Sequence, residues 1–171
     1  MPGGKQIRKV GIIANIRKEI ALECSTGLKK WLLGRGMEVF LDEEIAAALG
    51  EENGLERQAL AIAADLLVVL GGDGAMLRAA RSVRKFKIPI VGINVGTFGY
   101  LTEINLNEMY PSLERIIRGD YSTEERMMLD MEVVRDGRTS CEFTVLNDVV
   151  ISRGNLTRII DMETTVDGSY L

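Results

Sequence analysis

Short apolar runs recur through the first hundred residues, and they predict β-strands. They cover Val10–Ile13, Met37–Leu41, Leu66–Leu70 and Ile88–Val91. A nearly continuous apolar run of this length is typical of a strand that is buried on both faces of a parallel sheet. The third run leads directly into a glycine-rich turn, and the fourth ends in a glycine-rich loop.

Helical patterns separate these runs. One helix is predicted around Cys24–Leu32 and ends at Gly34, a second follows the glycine-rich turn, and a third covers Glu108–Arg118. Strands that alternate with helices indicate parallel βαβ units. Residues 1–120 are therefore expected to form an α/β nucleotide-binding domain, with an open, mostly parallel sheet and flanking helices.

The pattern changes after residue 120, where the helical spacing disappears. Two Asp-Gly pairs, at 136–137 and 167–168, are hairpin turn signals. Strands are predicted over Phe143–Ser152 and Arg158–Val166. Because the sequence stops three residues after the second turn, we expect 121–171 to be the beginning of an all-β second domain that is incomplete.

Composition narrows the possible functions. The 171 residues carry 21 Lys+Arg and 25 Asp+Glu, a net charge of −4, which argues against a nucleic-acid-binding protein. Because the sequence has no histidine, Ser-His-Asp catalysis and imidazole metal sites are excluded. Cys24 and Cys141 are expected to be reduced thiols, and no run is long enough to span a membrane. A soluble, cytoplasmic protein is expected. The acidic stretch 42–56 is read as a solvated surface.

The strongest candidate site is the turn Gly71-Gly72-Asp73-Gly74, between a buried strand and a helix. Ligands of open α/β sheets bind at the carboxyl ends of the strands, and a helix N-terminus suits phosphate. The turn matches neither the Walker pattern nor the G-x-G-x-x-G fingerprint. Asp73 could orient or deprotonate an attacking hydroxyl, or help to hold Mg²⁺. The alternative is a turn aspartate that caps the helix.

Other candidates are distributed along the chain. The loop from Gly92 to Thr102 contains Asn94 and could line the same crevice. Asn147 and Asp148 form a polar pair in an apolar run, which must find partners or mark a bulge. Arginines that could bind phosphate lie on the helix after the turn, among them Arg78 and Arg81, and near the end of the chain, at 153 and 158. For these arginines the alternative is a solvated surface.

The order of these motifs resembles the NAD kinase family. The segments GGDG, GINVGTFGYLTEI and LNDVVISRG follow one another, and then come a basic residue and an Asp-Gly turn. The resemblance covers almost the whole chain. It implies transfer of the terminal phosphoryl group of ATP, or in some members of polyphosphate, to the adenosine ribose 2′-hydroxyl of NAD, which gives NADP. It also implies a divalent cation, expected to be Mg²⁺, and a homo-oligomer.

The resemblance also suggests residue roles. Asp73 matches the family's catalytic aspartate, and Gly72 and Gly74 flank it in the nucleotide contact. The pair Asn147–Asp148 matches an NAD-binding pair. Three further residues match nucleotide-binding positions: Arg78, Asn94 and Arg158. Ala75 and Tyr100 depart mildly from the family pattern, and the family's segments beyond the second Asp-Gly turn are not in this sequence.

Two other functions fit the residues. The first is another GGDG phosphotransferase that acts on a lipid or a sugar hydroxyl. The second is a nucleotide-binding chain without turnover, because half of the substrate site is expected to lie in the second domain.

Overall fold

The main body of the protein is a parallel β-sheet. The computed structural model describes residues 6–96, 99–152 and 159–171. Within them, five parallel strands pair in the order β2-β1-β3-β4-β5. These strands are β1 (Lys9–Ala14), β2 (Glu38–Leu41), β3 (Leu66–Gly71), β4 (Ile90–Asn94) and β5 (Ile104–Asn105).

Helices cover both faces of this sheet. One hydrophobic core joins one face to the first, second and last helices, and a second core joins the opposite face to the other two. The α/β architecture predicted from the alternating pattern is thereby confirmed. The helices are α1 (Glu19–Leu33), α2 (Glu43–Leu49), α3 (Arg57–Ala63), α4 (Asp73–Val83) and α5 (Met109–Ile117), and a 3-10 turn over Leu106–Glu108 precedes α5.

The two central strands explain why their sequences are almost wholly apolar. Every residue of β3 is buried, as are all but the first of β1, because helices lie on both sides of them. Gly11 in β1 allows close packing: a Cβ there would lie 2.6 Å from Leu67 Cδ2 and 2.9 Å from Leu60 Cγ. A side chain at this position would push α3 away from the sheet.

The strand order places a crevice at one edge of the sheet. The chain runs outward from β1 to β2 on one side and from β3 to β5 on the other, so the order reverses between β1 and β3. Such a reversal opens a crevice at the carboxyl ends of the two strands, where ligands bind in sheets of this kind. Asn15 follows β1 at this point, and its N–H donates to Leu70 O at 2.9 Å.

Asp42 departs from the expectation that 42–56 is a solvated surface. Its side chain is only 1% exposed. Oδ1 caps α2 by accepting from the N–H groups of Glu44 (2.9 Å) and Ile45 (3.2 Å), while Oδ2 accepts from Arg57 Nε at 2.8 Å. Arg57 also pairs with the Glu44 carboxylate at 3.0 Å. This carboxylate therefore ties the end of β2 to the first turns of α2 and α3.

We expect Asp42→Ala to lower the free energy of unfolding by about 2–3 kcal/mol, because it removes a helix cap and one partner of a largely buried ion pair. Urea denaturation of both proteins measures the difference. The matched control is Asp120→Ala, which removes an exposed partner of Arg115 and should leave the free energy of unfolding almost unchanged, because solvent screens exposed ion pairs. Equal losses in the two variants would contradict the role given to Asp42.

The segment after residue 120 forms small antiparallel sheets. Strands β6 (Leu129–Arg135) and β7 (Arg138–Val145) pair around Asp136–Gly137, and β8 (Thr165–Val166) pairs with β9 (Ser169–Tyr170) around Asp167–Gly168. Both aspartates have φ 50°, and the glycines have φ 71° and 79°. These are values that two-residue hairpin turns require, so both predicted turns are confirmed.

Several predicted boundaries are wrong. The strand predicted over 143–152 is β7, which begins at Arg138 because the two-residue turn pairs Arg138 directly with Arg135, and it ends at Val145. Of the strand predicted over 158–166, the described part is paired only at Thr165–Val166. Strand β4 begins later than predicted and extends through Gly92, which was assigned to the loop. Helices α2 and α3 and strand β5 were not predicted.

Two further observations concern the chain as a whole. Cys24 and Cys141 are free thiols. Among the described residues, no helix combines the length and the apolar character needed to cross a bilayer.

Candidate functional site

The glycine turn joins β3 to α4 at the crevice. Gly72 is the N-cap of α4, and its carbonyl accepts from the N–H groups of Ala75 (2.9 Å) and Met76 (3.2 Å), the first hydrogen bonds of the helix. A Cβ on Gly71 would lie 2.5 Å from Ala75 Cβ. Glycine is therefore required at position 71 for α4 to begin so close to the end of the strand.

Asp73 is held by a loop that is distant in sequence. Its Oδ2 accepts from the N–H of Tyr100 and its Oδ1 from the N–H of Leu101, each at 2.9 Å. Both carboxylate oxygens are thus fixed by backbone donors that follow β4. This explains how two glycine-rich segments, separated by more than twenty residues, build one site.

These contacts determine the charge of Asp73. The N–H of Tyr100, followed by that of Leu101, lowers the pKa of the Asp73 carboxyl below its ordinary value of 3.8. The Thr102 hydroxyl contributes least to this shift of the pKa, and its buried oxygen makes no hydrogen bond of regular geometry. The two amides are therefore the main cause of the lowered pKa. Asp73 is therefore charged at neutral pH and is a weak base.

The loop after β4 packs closely around the same carboxylate. A Cβ on Gly99 would lie 2.6 Å from Asp73 Oδ1 and 3.4 Å from Asn94 Nδ2. Asn94 is the last residue of β4 and is 5% exposed, and its Oδ1 accepts from the N–H of Gly96 at 2.9 Å. Asp73, Asn94 and Gly99 therefore form one cluster, as their glycine-rich surroundings predict.

The other predicted residues lie at the margins of this cluster or outside it. Arg78 points back toward the turn, with Nη1 3.7 Å from the Cβ position of Gly74. Asn147 and Asp148 lie beyond the end of β7, are both exposed, and pair with each other through Asn147 Nδ2 and Asp148 Oδ2 at 3.1 Å. Within the described residues, no hydrogen bond or ion pair joins this pair to Asp73. Arg158 lies outside the described residues.

Two residues at the crevice were not identified from the sequence. Asn15 lies beside the turn, because a Cβ on Gly71 would be 3.6 Å from Asn15 Cβ. Lys18, at the start of α1, brings its ammonium group against Gly96, close enough that a Cβ there would clash with it. A polar residue directly after a buried strand was the signal for Asn15. Nothing in the local pattern distinguished Lys18 from an ordinary surface lysine.

The described residues contain no group of three or more carboxylate, thiol or imidazole side chains that could hold a metal ion. Asp73 is the carboxylate of the glycine turn. Since Mg²⁺ is commonly held by one or two carboxylates together with substrate phosphates, this donor set suits an ion that arrives with a phosphate ligand.

The chain matches a known protein family over most of its length. The family described as the ATP-NAD kinase N-terminal domain matches residues 10–121, which include β1, the glycine turn and the loop that holds Asp73. The chain belongs to the NAD kinase family. The resemblance inferred from the order of the motifs is thereby confirmed.

Relatives in the family match nearly the whole chain. The NAD kinase of Syntrophotalea carbinolica is 43% identical over 166 residues, which are 96% of this chain and 58% of that protein. The NAD kinase of Citrifermentans bemidjiense is 45% identical over 168 residues, again 96% and 58%. The chain thus spans somewhat more than half the length of these family members.

A solved structure shows the same fold. The crystal structure of yeast NADH kinase complexed with NADH superimposes with a TM-score of 0.84 at 20% sequence identity. The match covers 98% of this chain and 55% of the yeast chain. The fold shared with that structure therefore extends through both the α/β body and the antiparallel strands of this chain.

Proposed function

We propose that the protein containing this chain is an NAD kinase, which transfers the terminal phosphoryl group of ATP or polyphosphate to the adenosine ribose 2′-hydroxyl of NAD. The observation that carries the proposal is the fixed Asp73 carboxylate at the strand-order reversal, in a chain that belongs to this family. Phosphoryl transfer depends mainly on positioning and charge stabilisation. The carboxylate is suited to orient the attacking hydroxyl.

The hydrogen bonds of Asp73 support positioning rather than strong base catalysis. Each carboxylate oxygen accepts one backbone N–H and retains a lone pair for a ribose hydroxyl. Because its pKa is lowered, the group does not compete strongly for the proton. It can take the proton in the transition state, as the nucleophile's own acidity rises.

The remaining predicted residues receive roles within the same proposal. Gly72 and Gly74 let the backbone approach the nucleotide, and Asn94 shapes the loop beside it. Arg78 is proposed to meet the phosphates, while Asn147, Asp148 and Arg158 are proposed to bind NAD from the second domain, residues 121–171. A divalent cation, proposed to be Mg²⁺, would be held by Asp73 and the donor phosphates and would neutralise their charge. Homo-oligomeric assembly and a cytoplasmic location remain predictions.

The proposal is tested by which molecule the protein phosphorylates. We expect the protein containing this chain, supplied with ATP and Mg²⁺, to convert NAD into NADP, measured with an NADP-specific dehydrogenase. NAD lacking the adenosine ribose 2′-hydroxyl should give no product, and NADH is compared in parallel. Phosphorylation of a lipid or a sugar in place of NAD would show that the activity is that of another GGDG phosphotransferase.

A further inference from the structure

A second concave surface lies beside α4, away from Asp73. It encloses about 470 Å³ between the start of α3, the outer side of α4 and strand β7. Four cationic side chains line it from α4 and the turn that follows: Arg78, Arg81, Arg84 and Lys85. We call this surface the α4 groove. Neither Asp73 nor Asn94 lines it.

Among the described residues, the cations that line the α4 groove outnumber its carboxylates. Within the part of the chain that the structure describes, none of the four side chains forms an ion pair, and all four are exposed. Arg57 also lines the groove but is paired with Asp42 and Glu44. The lining contains one carboxylate, Glu142. The groove therefore has an excess of about three positive charges in a chain whose net charge is −4.

The arrangement of the cations indicates the shape of the ligand. Arg78 and Arg81 lie on one side of α4, three residues and about 4.5 Å apart along its axis at 1.5 Å per residue. Arg84 and Lys85 follow in the turn after the helix. A compact anion needs cations that converge on one point, whereas a row of cations suits an extended chain of negative charges.

Helix electrostatics explain only part of this row. The C-terminal end of a helix favours cations, which accounts for Arg84 and Lys85. It does not account for Arg78, which lies in the second turn of α4. Nor does it account for Phe143 and Thr144 of β7, which line the opposite side of the groove. Cations that only stabilise the helix dipole would not need a second strand to form a groove with them.

We propose that the α4 groove binds a linear phosphate chain, either inorganic polyphosphate or the phosphate tail of a nucleoside triphosphate. Arg78 lines the groove and also lies next to Gly74. A phosphate chain bound in the groove would therefore extend toward the glycine turn. The identification of the bound phosphate chain as the phosphoryl donor rests on the proposed function.

Calorimetric titration of the 171-residue chain at low ionic strength tests the proposal. Tripolyphosphate and ATP are expected to bind, with AMP at least about tenfold weaker, and added salt should weaken all binding. The double variant Arg81→Gln/Arg84→Gln should weaken tripolyphosphate binding about tenfold or more, because two charge-assisted contacts are lost. Binding of tripolyphosphate that is unchanged in this double variant would overturn the α4 groove and leave the proposed function standing, because that function is tested by the conversion of NAD into NADP.

The matched control is Arg115→Gln/Arg118→Gln, which makes the same change of charge on α5, packed against the opposite face of the sheet. It should leave tripolyphosphate binding within about twofold.

Equal weakening by both double variants would overturn the proposal, since binding would then follow net charge alone. Stronger binding of single-stranded DNA than of inorganic polyphosphate of equal charge would also overturn it. Tighter binding of long polyphosphate than of ATP would identify polyphosphate as the source of the chain, and the reverse order would identify the nucleotide.

Discussion

Asp73→Asn is expected to reduce NADP formation by about 10²-fold or more in the protein that contains this chain. The substitution removes the negative charge that orients the ribose hydroxyl and accepts its proton. It also places an amide NH₂ against one of the two loop N–H groups that now donate to the carboxylate. Steady-state rates with NAD and ATP varied separately give the measurement.

The division of the loss between kcat and KM identifies its cause. Loss of an interaction made only in the transition state lowers kcat and leaves KM for NAD close to its original value. Displacement of the loop would raise KM as well. Asp120→Asn, which changes an exposed carboxylate paired with Arg115, is the control and should keep normal turnover. Normal turnover in Asp73→Asn would contradict the role proposed for this residue.

The pH dependence follows from the direction of the pKa shift. Since the folded protein lowers the pKa of Asp73 below 3.8, the carboxylate stabilises the fold above that value, and the stabilisation is lost as the pH falls through the lower, folded pKa. Titration of this group should therefore not appear in a rate profile between about pH 6 and 8. Any ionisation seen there belongs to another group or to a substrate.

The sequence was most informative where burial and turn chemistry agree. β1 and β3 lie within one residue of their predicted runs, because these strands are almost wholly apolar and buried, and α4 follows the glycine turn as predicted. α3 was not predicted, since its buried positions are only Leu60 and Ala61. β5 has two residues, too few for any periodic signal.

The cluster of Asp73, Asn94 and Gly99 was predictable in its residues but not in its contacts. Glycine-rich turns after parallel strands identified Asp73 and Asn94, because the topology places the carboxyl ends of β3 and β4 side by side. The expected cause of the charge on Asp73 was the N-terminus of α4. The structure adds another cause, the amides of Tyr100 and Leu101, which no local pattern reveals because they come from a loop 27 and 28 residues away.

The close packing of that loop makes Gly99 the next residue at which a small change should have a large effect. Gly99→Ala would place a methyl group against the Thr102 hydroxyl and 2.6 Å from Asp73 Oδ1, so these two side chains or the backbone from Gly99 to Leu101 must move. We expect turnover to fall about tenfold or more, because displacement of a positioned group by about 1 Å can cost as much as 10²-fold. Steady-state kinetics measures the loss.

An independent measurement connects that loss to the loop. The pKa of Asp73 should rise back toward 3.8 in Gly99→Ala, as the donors at Tyr100 and Leu101 move away, and NMR titration of these two amides reports it. Gly34→Ala is the matched control: its φ is −62° and its nearest neighbour would be Lys30 O at 3.4 Å, so an added methyl group fits at the end of α1. Normal turnover in Gly99→Ala, with unchanged NMR titration of the two amides, would show that the loop does not position the carboxylate. Reduced turnover together with a raised Asp73 pKa would show that the two glycine-rich segments act as one structural unit.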